Sequence, residues 1–138
     1  MKKLIVALFS IALLAGCAGG SEAVTVTSET AKDENGNYAS AEVVMKDGKI
    51  ESITLDEFSS GSSKKELGSN YNMKSASTIG KEWDEQVKFL EEYIVANGIE
   101  AVELTAEGYA AKDDVLAGCT INITSMMQAA NDAAAKAK

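Results

Sequence analysis

The hydrophobic pattern changes period partway along the chain, and that change restricts the fold more than any other feature of the sequence. From Tyr38 to Met45, Ala41, Val43 and Met45 alternate with Ser40, Glu42 and Val44, the period of two expected of a strand buried on one face. Lys46-Asp47-Gly48-Lys49 follows, and Asp-Gly can place both central residues at positive φ, as a two-residue hairpin requires. The returning strand, Ile50 to Phe58, carries Ile53 and Leu55 on one face. An extended run through Val24, Val26 and Thr30 precedes them, separated by the turn cluster Asp33-Glu34-Asn35-Gly36-Asn37, which predicts a three-strand antiparallel meander. The period then becomes helical. Trp83, Val87, Leu90 and Ile94 recur at steps of four, three and four, Phe89 and Tyr93 widen the stripe, and Asn97-Gly98 supplies a C-terminal stop.

The remaining segments carry weaker signals. Ile99 to Leu104 is a short apolar stretch, Thr105 to Asp114 is polar, and Val115 to Ile123 reads as strand-like. Thr124 or Ser125 can cap a last helix from Met126 to Ala135, with Met126, Met127, Ala130 and Ala134 on its apolar side. The fold class expected is therefore α+β, an antiparallel meander sheet packed by the Trp83 helix and a C-terminal helix. Residues 59 to 81 hold no long apolar period and are rich in Ser, Gly and Lys. Alone the segment could be a solvated loop. Its length, its neighbouring Lys64 and Lys65, its hydroxyls and its Tyr71 also suit a grip on a phosphorylated aromatic ligand. Trp83, at the first turn of the helix beside this loop, is either a stacking platform or plain core, and core is the simpler expectation.

Ahead of this domain stands a leader. Lys2-Lys3 precedes Leu4 to Ala15, an apolar run too short to span a bilayer as a helix, so residues 1–16 read as a signal peptide. Leu14-Ala15-Gly16-Cys17 resembles the bacterial lipobox, in which small residues admit the chain to the peptidase and the cysteine thiol becomes a thioether to diacylglycerol. Cys17 is the expected lipidation site, residues 17–22 a short tether including Ala18-Gly19-Gly20-Ser21, and 23–138 the domain. Loss of Lys2 and Lys3 deepens a net charge that is already −8, so acyl chains rather than electrostatics must hold this acidic protein on the outer face of the cell membrane.

Composition excludes several chemistries. The chain has no His, and its 13 basic residues are all lysine, so imidazole catalysis, His-ligated metal and bidentate guanidinium clamps are unavailable. The negative charge argues against nucleic acid as a partner. No pairing of nucleophile and base is visible, which leaves a catalyst acting without a cofactor as the weakest reading. With Cys17 acylated, Cys119 stands alone, without CxxC or His, and reads as a small buried apolar residue.

The run Asp114-Val115-Leu116-Ala117-Gly118-Cys119-Thr120 resembles the flavinylation motif of FMN-binding domains in exported electron-transfer proteins. Asp114, Gly118 and Thr120 match in spacing, whereas Ala117 stands where Ser is usual and Cys119 where Ala is usual. The likeness extends through the Asp47-Gly48 hairpin, Lys64 to Lys74 and Ile79 to Tyr93, so that with the lipobox most of residues 38–125 looks like the FMN-binding lipoproteins of Gram-positive bacteria. The resemblance implies an electron carrier rather than a catalyst, with FMN held covalently through Thr120 or noncovalently. It further implies Gly118 as the point of close backbone approach, Asp114 as part of the sequence a flavin transferase reads, and a redox partner in the envelope. Should the flavin be held noncovalently, Tyr71, Lys74 and Trp83 are the leading contacts. A reading from another class is a non-redox surface lipoprotein that binds a ligand or partner.

Overall fold

The structure is a computed structural model that describes the backbone of residues 10–13 and all of residues 22–138. Its sheet runs in sequence order, β1 (Ser10–Leu13), β2 (Val24–Glu29), β3 (Tyr38–Lys46), β4 (Lys49–Ser59) and β5 (Ser62–Ser63), every neighbour antiparallel. The meander β2–β3–β4 is the one expected. At its hairpin, Asp47 and Gly48 both sit at positive φ, 52° and 75°, and Lys46 pairs with Lys49. Ala39, Ala41, Val43, Met45, Ile53 and Leu55 are buried on the inner face.

Two helices laid on that face supply most of the core side chains opposite it, with Ile99, Ala110, Val115, Cys119 and Ile123 completing the core. One, Trp83–Asn97, packs on β4; the other, Thr124–Lys136, packs on β3 and β2. The first buries Trp83, Val87, Leu90 and Ile94, the four positions its period marks, and begins with Glu85 Oε2 accepting from Glu82 N at 2.8 Å. The second buries Met126, Met127 and four alanines, whose small side chains let the helix lie close to the sheet. Among the described residues, no helix is long and apolar enough to cross a membrane.

Three expectations are corrected. Residues 59–81 form a folded strap rather than an open loop. Ser60 and Gly61, at φ 51° and 83°, make a second tight hairpin into β5, and a short helix α1 (Lys64–Leu67) follows with Ser63 Oγ accepting from Glu66 N at 3.1 Å. A 3-10 turn over Gly68–Tyr71 carries the chain on. Each piece is two to four residues long, too short to leave a period in the sequence. The strap also shields the open edge of β4, since Lys65 Nζ donates to Leu55 O at 3.0 Å and pairs with Glu91, whose Oε1 accepts from Leu55 N at 2.7 Å.

The second correction concerns Val115 to Ile123, which is not a strand. A short helix at Asp113–Leu116 turns into a loop in which Val115, Cys119 and Ile123 are buried at steps of four. A short apolar run of this kind has the same composition in either conformation, and only packing decides between them. Thirdly, neither Thr124 nor Ser125 caps the last helix; Thr124 is its first residue, and Asn122 Oδ1 accepts from Thr124 N at 3.1 Å. In order, the helices are α1, α2 (Trp83–Asn97), α3 (Asp113–Leu116) and α4 (Thr124–Lys136).

Candidate functional site

A cleft of about 570 Å³ opens where α2 begins, walled by the strap, the first turn of α2, Tyr109 and the loop Thr120–Asn122. Its organising residue is Gln86, fully buried at 0% exposure on the apolar face of α2. A buried carboxamide is costly unless its donors and acceptor are used. Gln86 Oε1 accepts from Thr120 N at 2.9 Å and from Thr120 Oγ1 at 3.2 Å, while Nε2 donates to Ser77 Oγ at 3.3 Å and Lys81 O at 3.2 Å. One side chain therefore joins the strap to the Thr120 loop and turns the Thr120 hydroxyl proton inward. Thr120 itself is only half-buried.

The aromatic end of the cleft is already partnered. Trp83 is 2% exposed, so core packing is its main role. Tyr71 lies 6.4 Å from it, tilted by 59°, and Lys64 Nζ sits 5.5 Å from the Trp83 ring centre and 5.6 Å from that of Tyr71. Lys64 also donates to Glu57 Oε2 at 2.6 Å. Burial works against the ammonium, but the hydrogen bond and charge of Glu57 more than offset it and hold Lys64 above the ordinary lysine value. Tyr109, 43% exposed on the cleft wall, is the aromatic with surface left to offer a planar ligand.

Of the residues singled out from the sequence, Thr120, Tyr71, Trp83 and Lys64 meet in this cleft. Gly118 lies beneath α2 instead. A Cβ there would stand 2.3 Å from Phe89 Cγ, so the missing side chain serves the contact with the helix. Asp114 accepts from the Tyr93 hydroxyl at 2.9 Å, and that bond pushes the Tyr93 phenol up. Lys74 is exposed and does not line the cleft; Lys64 does. Cys119 is buried, and burial pushes its thiol up to about 11. Cys17 lies outside the described residues. Reading the sequence missed Gln86, Tyr109 and Glu57. For Gln86 a signal existed, because it stands three residues after Trp83 within the buried stripe, where a polar residue needs partners.

Comparisons with known proteins support the architecture. No protein-family model matches the chain, and no curated protein matches it. A solution NMR structure from Clostridium thermocellum is similar, with a TM-score of 0.55 and 26% identity over 83% of this chain and 90% of that one. The chain thus has an α+β fold shared with that bacterial protein.

Proposed function

We propose that this chain is a membrane-anchored extracytoplasmic lipoprotein whose cleft holds FMN and which carries electrons in the cell envelope. The observation that carries the reading is the Thr120 hydroxyl, half-buried on the cleft wall and oriented by Gln86 Oε1. With its proton turned to Gln86, Oγ1 presents its lone pairs outward, as an oxygen that attacks phosphorus must. Gln86 cannot take up that proton, and Glu57, the carboxylate on the cleft wall, is engaged by Lys64. Esterification, in which the Oγ1–phosphorus bond forms as the phosphoanhydride bond of a flavin-dinucleotide donor breaks and its nucleoside monophosphate leaves, therefore needs a base from outside to take the hydroxyl proton, which accords with a separate flavin transferase.

The residues present suit the group. Ser77, Thr78 and Asn122 supply neutral donors around Thr120, Lys64 supplies a cation, and the volume lies in the range of small-molecule sites. Tyr109 offers its exposed ring for stacking. A bound flavin supplies the electron chemistry itself, and the chain has only to bind it, orient it and leave one edge reachable.

A non-redox binding module is the second reading. The observation on its side is that Lys64 already occupies the cation-π position over Trp83 and Tyr71. Titration of the purified domain with FMN separates the two, because Trp83 is the one tryptophan and lines the cleft. Saturable quenching of its fluorescence, weakened several-fold by Tyr109→Ala, is expected of the flavin carrier. Unchanged fluorescence, in protein that is colourless when isolated from membranes, points to the binding module. The anchor is tested by Cys17→Ser, which should be released into the medium while wild type stays with membranes through high salt.

A further inference from the structure

The chain enters the domain at one pole and the cleft opens at the other. Glu22 and Val24 share a cavity with Asp47, Gly48 and Lys138, so the tether arrives beside the β3–β4 hairpin. The same hairpin borders Asn97 and Gly98, where α2 ends. Trp83 and Gln86, at the start of α2, line the cleft. α2 thus runs from the cleft to the tether, and its rise separates them by about 20 Å. Strand β3 spans the same direction, from Tyr38 near the strap to Lys46 beside the hairpin, a length of about 27 Å.

If Cys17 carries the lipid, it lies five residues before Glu22 and cannot be more than about 18 Å from it even when fully extended. The hairpin pole also tolerates a charged surface. Exposed Lys46 and Lys49 flank its turn and Lys138 lines its cavity, interleaved with the acids Glu22, Asp47, Glu51 and Glu100.

From this geometry we infer that the domain stands with its hairpin pole toward the membrane and presents the Thr120 cleft to the aqueous phase. The inference rests on the lipid anchor proposed above, and its test reads the anchor by flotation and the orientation by quenching.

The lipidated protein is reconstituted on vesicles of phosphatidylcholine and phosphatidylglycerol containing some headgroup-nitroxide lipid, with a fluorophore on Lys46→Cys or, separately, on Glu34→Cys. Position 46 is at the hairpin pole and 34 is in the β2–β3 turn at the cleft pole; buried Cys119, its thiol pushed up to about 11, stays unlabelled. The label at 46 should be quenched several-fold more than the label at 34. Equal quenching, or the reverse order, in protein that floats with the vesicles overturns the orientation while leaving the anchor intact. Protein that fails to float overturns the anchor and the orientation together.

Discussion

Gln86 Oε1 accepts both the backbone N–H of Thr120, at 2.9 Å, and its hydroxyl, at 3.2 Å, across the boundary between core and cleft. The relationship makes a core residue the support of a site residue. Gln86→Leu keeps the volume of the side chain and removes every one of these bonds, leaving Thr120 N and Lys81 O short of a partner. The expected cost is about 1–3 kcal/mol in urea unfolding, with weaker FMN binding in the protein that remains folded. A variant as stable as wild type that binds FMN equally would separate Gln86 from the site.

Trp83 fills the core at the first turn of α2 and is fully enclosed by Tyr71, Lys64 and the helix packing around it. Trp83→Ala should lower stability by about 3–5 kcal/mol. An unchanged denaturant midpoint would contradict its assignment to the core.

Gly118 faces the Phe89 ring at a distance that leaves no room for a methyl group. Gly118→Ala is expected to cost about 1–3 kcal/mol through overpacking. Combining it with Phe89→Leu should recover part of that loss, and a double-mutant cycle reads the coupling. Additive losses would mean that the two residues do not press on each other.

The Cys119 thiol is held neutral by burial, its value raised from the ordinary 9.0 to about 11. A group whose folded value is raised adds stability that is complete below the unfolded value and is lost as pH rises through the folded one. Wild type should therefore lose stability relative to Cys119→Ala between pH 9 and about 11, and the difference between the two should be constant below pH 9. A gap between them that stays level across the alkaline range would refute the buried neutral thiol.

The parts of this fold that are legible in the sequence are those whose period persists. The alternation of β3 and β4 about Asp47-Gly48, and the stripe from Trp83 to Ile94, repeat often enough to identify themselves. Val115, Cys119 and Ile123 are equally buried, but their neighbours are small or apolar too, so the stretch looks like a strand until packing shows a helical turn and a loop. The site divides in the same way. Tyr71 and Trp83 suggest themselves by chemistry and position, and Thr120 by its place in the run that resembles the flavinylation motif. Lys64 rather than Lys74 reaches the cleft because the Ser60-Gly61 turn folds the strap back toward α2, and that turn's consequence is tertiary. The resemblance implies that Gly118 lets the backbone approach the flavin phosphate, whereas the close approach it allows in the structure is to Phe89.

The most direct test of the account is the intact mass of the chain after export from cells that also make a flavin transferase. Wild type should gain the mass of one FMN moiety, Thr120→Ala should not, and wild type should be yellow after denaturation while the variant is colourless. Free FMN bound without any covalent gain would keep the cleft as the site and make the attachment noncovalent. Wild type that neither gains the adduct nor binds free FMN would contradict the flavin account.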